Sequence, residues 1–541
     1  MHPALADDLG RLPELLGLTL DQAAEALRTL DTRPVVPAYA HPAAAGELRE
    51  PREPEDPGAP GEPRERAEPR DRREPTELGD RHEADDAAAP PAEGEEPPHD
   101  GRDGRDGCRD GRDGRDGRDG CRDGRDGCRD GRGLARTLED FARTWAPRLS
   151  ASAGPRYLGF VTGGATPAAL AGDWLTAVHD QNSNSALDGA GQDLERETVG
   201  LLRDLFGLSS AHTGTFVSGA TMSNTTGLAI AREWLGERLG VSPADDGAAA
   251  LGPVRVLSGA PHSSIGKALS VLGLGRRALV PVPTLPGREA VDPAALDRAL
   301  ADTPGPAVVV ANAGTVNTVD FDDLRAIAAL RERHDFWLHT DAAFGAFAAL
   351  SPDHAHLTAG LDASDSVCVD LHKWLNVPYD SAVQFTRRQD LQARVFANAA
   401  AYLGPLGPRP DLVHLTPENS HRLRALAAWF TLRAYGRAGH REIVERDIAC
   451  AHALGDELAA DPAFRLLAPV RLNVVCFTLA ERPTAERLTA LREAVAAEVF
   501  VTPTVLAGTP ALRAAFSNWR TTQADVRRAA EALRSAAKGI E

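Results

Sequence analysis

The sequence predicts an α/β protein built on a largely parallel, doubly wound sheet, followed by a smaller α/β domain with some antiparallel strands. Two observations carry this expectation. From Leu134 onward, short β-branched apolar runs alternate with helical stretches of about 10–15 residues, the pattern of βαβ units. Beyond about residue 406 the alternation gives way to one long helical region and then to separate strands and helices.

Taken in order, an N-terminal segment, 1–50, contains RLPELLGLTLDQAAEALRTL (11–30). Its leucines and alanines recur at three- and four-residue spacing and predict one or two short amphipathic helices. Residues 51–133 differ in kind. Proline, glutamate, arginine and alanine dominate to residue 100, and a near-perfect GRD repeat follows, broken at Cys108, Cys121 and Cys128. Such a stretch buries too little apolar surface to offset its ordering entropy, so a disordered, charged insertion acting as a tether is expected. The broken Gly-X-Y phase and the absence of proline from the repeat argue against a collagen helix. The pairing of each arginine with an aspartate argues against an RNA-binding tract.

The large domain, 134–405, is read from six strands: VRVLSG (254–259), ALVPVP (278–283), AVVVAN (307–312), FWLHTD (336–341), SVCVDL (366–371) and SAVQFT (381–386). A further strand–turn–helix reading covers TFVSGATMSNTTGLAIARE (215–233). In the small domain, 406–541, a helical region over 420–460 precedes a strand near VRLNVVCFTLA, a helix at 484–498, a strand at ALRAAFSNW and a helix at 524–537.

Composition narrows the function. The 541 residues carry 60 Lys+Arg against 78 Asp+Glu, a net charge of −18, of which −13 lies in residues 1–133. This balance argues against a general nucleic-acid or anionic-membrane binder. The N-terminus lacks the pattern of a secretory leader and no long uncharged apolar run is present, so a cytoplasmic protein is expected. The six cysteines have no metal-ligand spacing and read as reduced thiols; no metal is expected. Only three basic residues are lysine: Lys267, Lys373 and Lys538.

Lys373 is the notable one. It follows an apolar strand in SVCVDLHKWLNVPYD, where ligands bind in open α/β sheets. A desolvated amine there is suited to forming an imine with a carbonyl compound. Asp341 ends the strand FWLHTD; a carboxylate in that place either caps the next helix or pairs with a buried cation such as a protonated pyridine. The small residues around Gly219 leave backbone N–H groups free at a helix start, which suits a phosphate. No Walker or Rossmann glycine pattern is present. His262 stands between a strand and a helix, where an imidazole could stack on an aromatic ring.

In the order phosphate turn, histidine, aspartate, lysine, these segments resemble the pyridoxal-phosphate-dependent group II amino-acid decarboxylases. YLGFVTGGATPAALAGDWL (157–175), WLHTDAAFG and DSVCVDLHKWLNVPYD are closest to bacterial members with the HKWLNVPYD motif. The resemblance covers about 134–541 and leaves 51–133 as an insertion. It implies the type I fold of PLP-dependent transferases with a seven-stranded-type sheet, a homodimer, an amino-acid substrate, and release of CO2 and an amine. Lys373 would form the aldimine, Asp341 would pair with the ring nitrogen, and His262 and Ala343 would flank the ring. Gly219, Ala220 and Thr221 would contact the phosphate, with Asp370 and His372 on the same side and Asn312 near the cofactor.

Three departures bear on chemistry. Leu412 aligns with a tyrosine that many members use to protonate the substrate carbon; His414, two residues on, reads either as a substitute or as a plain loop histidine. Thr166 stands where aromatic-specific members carry a pocket tyrosine, which does not support an aromatic substrate. Asn312 replaces a usual threonine. Another PLP reaction (C–C lysis, aminotransfer, oxidative deamination) and a non-catalytic binding role therefore remain open on the sequence.

Overall fold

The computed structural model describes residues 8, 10–36, 131–184, 189–398, 407 and 409–540. The expected insertion, 51–133, falls outside them except for 131–133, as do Cys108, Cys121 and Cys128. Among the described residues the N-terminal segment contributes a helix, Leu12–Arg28, which buries Leu15.

A seven-stranded sheet holds β1 (Thr213–Val217), β2 (Val256–Ser258), β3 (Leu279–Pro281), β4 (Ala307–Asn312), β5 (Phe336–Asp341), β6 (Ser366–Asp370) and β7 (Ala382–Thr386), in the order β1-β7-β6-β5-β4-β2-β3. Strands β6, β5, β4, β2 and β3 are parallel; β7 runs against both of its neighbours. The reversal follows from chain length. Only residues 371–381 join β6 to β7, too few for the crossover that a parallel neighbour needs. The turn that carries Lys373 is that short connection.

The central strands are buried along their whole length, which is why they read as short, mostly apolar runs rather than alternating ones. Their register aligns the strand ends. Asn312 pairs with Asp341 across β4 and β5, and Asp341 with Cys368 across β5 and β6. Three strands therefore present their carboxyl ends side by side, the crevice where open α/β sheets bind ligands.

A second sheet, antiparallel throughout, follows the order β10-β11-β9-β8: β8 (Phe464–Leu466), β9 (Val474–Leu479), β10 (Thr502–Leu506) and β11 (Thr509–Ala515). The pattern misses β8 and β10. The first is three residues long, and the second holds Pro503, which an edge strand tolerates because its N–H side need not pair. The long helix Ala425–Ala459 is interrupted at Gly436, whose φ of 58° and ψ of −172° leave helical space.

Residues 157–166 tie the two sheets to the lysine turn. The Leu158 N–H donates to Phe500 O and the Ala515 N–H to Leu158 O. The Gly163 N–H donates to His372 O, and Asn376 Nδ2 returns a bond to Gly163 O at 2.6 Å. At Gly163 the backbones come so close that an added Cβ would overlap the Lys373 carbonyl oxygen. Gly163→Ala should therefore lower stability by about 1–3 kcal/mol through overpacking. Denaturant unfolding checks this, and an unchanged midpoint would contradict the close approach.

Candidate active site

A cavity of about 230 Å³ opens at the carboxyl ends of β4, β5 and β6. Ala220, His262, Asn312, Asp341, Ala343, His372 and Lys373 line it, so seven of the ten residues expected from sequence meet there. Gly219 is next to it: a Cβ at that position would stand 3.8 Å from His372 Cε1. Asp370 reaches it through its neighbours, 3.3 Å from Lys373 Nζ and 2.9 Å from His372 Nδ1. Thr221 is exposed and is not part of the lining.

Each group is placed by a local feature. Lys373 sits in the helical turn Leu371–Trp374 directly after β6, its Nζ 5.5 Å from the centre of the Phe344 ring. Burial alone would raise the Asp370 pKa, but Lys373 and His372 outweigh it and hold the carboxyl below its ordinary value. Asp341 ends β5 with 7% of its surface exposed. Its Oδ2 accepts from Asn224 Nδ2 at 2.9 Å and its Oδ1 from the Ala343 N–H at 3.2 Å. His262 caps the helix Ser263–Val271, accepting at Nδ1 from the Ser264 N–H at 3.3 Å. Its pKa is lowered, chiefly because protein around the ring replaces water; Lys373 and Arg513 add to this, and Asp341 opposes it. The imidazole is thus biased toward its neutral form.

These groups fit pyridoxal phosphate. The helix Ala220–Leu239 starts with no side-chain cap, and its first turn closes with the Ser223 N–H donating to Gly219 O. The N–H groups before Ser223 are therefore unspent within the helix and available to a phosphate. Lys373 offers a primary amine to an aldehyde. Asp341 is a nearly buried carboxylate on the cavity wall, which calls for a cation. Ala343 is small enough for a flat ring to approach closely.

Several lining residues were not singled out from sequence: Phe160, Phe344, Tyr379 and Arg513. Tyr379 packs against His372 with ring centres 4.1 Å apart, and its hydroxyl lies 3.2 Å from Thr162 Oγ1. Arg513, on β11, is 7% exposed and donates to the carbonyls of Phe160, at 3.0 Å, and Val316. Burial lowers its pKa, and the Cys476 and Glu289 charges oppose this. Its signal was an arginine inside the apolar strand ALRAAF. Leu412 and His414 do not reach the cavity lining. Both are buried; the Leu412 N–H donates to Gln192 Oε1, and His414 Nδ1 accepts from the Asn398 N–H. Thr166 caps the helix Pro167–His179 and bonds to Thr431 Oγ1 at 2.9 Å, also outside the lining.

Comparison with known proteins matches residues 130–480 to the pyridoxal-dependent decarboxylase conserved domain. The aromatic-L-amino-acid decarboxylase of Bacillus atrophaeus is 28% identical over 332 residues, 60% of this chain and 67% of that one. The L-2,4-diaminobutyrate decarboxylase of Acinetobacter baumannii is 27% identical over 330 residues, 58% of this chain and 64% of that one. The Drosophila simulans aromatic-L-amino-acid decarboxylase is 32% identical over 187 residues, and this chain spans only 37% of its length. Among solved structures, Oryza sativa TDC with PLP and tryptamine superposes with a TM-score of 0.76 at 21% identity over the whole of both chains. Mouse CSAD does so at 0.69 and 24% identity, over 75% of this chain and 88% of that one. At these identities the structures establish the shared fold.

His339, two residues before Asp341 on β5, is fully buried, and burial drives its pKa from 6.5 down to about 4. The folded state therefore binds fewer protons here than the unfolded chain between those values. This histidine's contribution to stability is present above pH 6.5 and is lost as pH falls toward 4, at up to about 1.4 kcal/mol per pH unit. Side-chain 15N NMR should find the ring still neutral at about pH 5. A midpoint near 6.5 would contradict this.

Proposed function

Because this chain belongs to the pyridoxal-dependent decarboxylases, we propose that it removes CO2 from an L-amino acid, with Lys373 carrying pyridoxal phosphate and Asp341 as partner of the ring nitrogen. The observation that carries the reading is the convergence of one amine and one nearly buried carboxylate on a single cavity at the sheet's carboxyl edge. When bound, pyridoxal phosphate supplies an electron sink for the pair left on the substrate carbon as CO2 departs.

The protein's part is positioning and electrostatics. The N-terminal end of the helix Ala220–Leu239, with His372 beside Gly219, holds the phosphate. His262 and Ala343 bound the ring. Asp341 keeps its charge aimed into the cavity because both of its oxygens are held by donors. Asp370 beside Lys373 keeps a negative charge next to the amine when that amine is protonated. Arg513, a nearly buried cation on the cavity wall, is placed to receive a carboxylate of the substrate.

A cytoplasmic homodimer belongs to the same reading. It is supported by the family resemblance and by Leu12, Leu16 and Leu20, which recur every four residues along one helix and are each 42–55% exposed. No helix among the described residues is long and apolar enough to cross a membrane.

Two outcomes are expected. A panel of L-amino acids assayed for CO2, amine, ammonia and keto-acid should give CO2 with an equimolar amine for the true substrate. Keto-acid without CO2 would assign a different reaction. Asp341→Asn, which removes the charge but preserves the shape, should lower kcat by about 10²–10³-fold. An unchanged kcat would remove Asp341 from the chemistry.

A further inference from the structure

Behind the cavity runs a chain of buried polar groups whose direction can be worked out from its two ends. Trp337 Nε1 lies 3.0 Å from Ser366 Oγ, and Ser366 Oγ lies 2.8 Å from His339 Nδ1. His339 Nε2 lies 2.9 Å from Asn224 Oδ1, and Asn224 Nδ2 lies 2.9 Å from Asp341 Oδ2. A branch leaves Asn224: Nδ2 is 3.0 Å from Ser264 Oγ, which is 2.8 Å from His262 Nδ1. Trp337, Ser366, His339 and Asn224 are each at most 1% exposed, so water does not substitute for any of these partners.

An indole N–H can only donate, and an ionised carboxylate can only accept. Asn224 must therefore turn its amide nitrogen to Asp341 and its oxygen to His339, and His339 must donate from Nε2. The ring is neutral, as its burial requires, so Nδ1 accepts the Ser366 hydroxyl hydrogen while the Ser366 oxygen accepts from Trp337. Along the branch, Ser264 Oγ accepts from Asn224; because the Ser264 backbone N–H already donates to His262 Nδ1, that nitrogen is an acceptor and the Ser264 hydroxyl hydrogen turns to it as well. That leaves the ring proton of neutral His262 on Nε2. Both amide hydrogens of Asn224 are used, one for each of two side chains, Asp341 directly and His262 through Ser264.

The backbone makes room for this arrangement. Gly227 lies within the helix Ala220–Leu239, where glycine costs about 1 kcal/mol relative to alanine. A Cβ there would stand 2.6 Å from His339 Cε1 and 2.7 Å from Nδ1. The missing side chain admits the imidazole. On β5, Trp337, His339 and Asp341 occupy alternate positions and so share the face turned to that helix.

We propose that Asn224, oriented by His339, is the positioning residue that fixes the direction of the Asp341 carboxylate and the tautomer of His262. The proposal rests on the reading that Asp341 and His262 face the cofactor. A neutral relay aligns Asp341 without neutralising it; a charged imidazolium in the same place would compete with the ring nitrogen for the carboxylate.

The test compares His339→Leu, which removes donor and acceptor, with His339→Gln, which keeps an amide N–H for Asn224 and a carbonyl for Ser366. The apo-protein is titrated with pyridoxal phosphate, and the His262 tautomer is read in the apo-protein by 15N NMR of histidine side chains. His339→Leu should weaken cofactor binding about tenfold, because Asn224 is freed to rotate and a buried acceptor is left unpaired. It should also shift His262 away from the pure Nε2–H form. His339→Gln should stay within about threefold of the parent and retain the His262 signal. Ser366→Ala breaks the preceding link and serves if the leucine variant does not fold. A folded His339→Leu with parental affinity and an unchanged His262 spectrum would overturn the proposal. Asp341→Asn is titrated alongside. If it weakens binding while the His339 variants do not, the relay fails and the assignment of Asp341 stands. If it too is silent, both fall.

Discussion

A carboxylate at the end of β5, with only 7% of its surface exposed, is the constraint around which the site is arranged. An isolated charge in that position would be costly, so it has to be met by donors from the protein, and the proposed reading adds the cation of a bound cofactor. The protein supplies the first: an amide from the helix Ala220–Leu239 and a backbone N–H from Ala343. The cavity next to it leaves room for the second. The parallel register sets Asn312 beside Asp341, and the short return from β6 to β7 puts Lys373 at the same edge. The reversed strand β7 and the position of the amine are thus one fact seen twice.

Much of this was legible in the sequence because it depends on local pattern. The central strands of the large sheet are buried along their length, so they read as short, mostly apolar runs between helical stretches. Lys373 stood out because arginine fills nearly every other basic position. What escaped notice depends on distance in the chain. Arg513 reaches the cavity from the second sheet, 140 residues beyond Lys373, and nothing near it names its target. Asn224 is one amide in a run of small polar residues, and its partners are 40, 115 and 117 residues away. Strands β8 and β10 are short or interrupted by proline, where the two-residue period has no length in which to show.

Leu412 and His414 illustrate the limit of alignment by motif. Both were singled out by alignment, yet in this chain both are buried away from the cavity lining: the Leu412 backbone N–H donates to Gln192, and His414 Nδ1 accepts from the Asn398 N–H. The groups facing the reacting space come instead from the lysine turn, the ends of β4 and β5, His262, and Arg513 with its neighbours Phe160 and Tyr379.

The central claim is that Lys373 is the amine that carries pyridoxal phosphate. Reducing the cofactor-loaded protein with borohydride makes that attachment permanent, and peptide mapping by mass spectrometry then locates it. A single modified peptide containing DLHKW is expected, with the label on Lys373 and none on Lys267 or Lys538. Label on either of the other lysines, or a protein that binds the cofactor without becoming labelled, would contradict it.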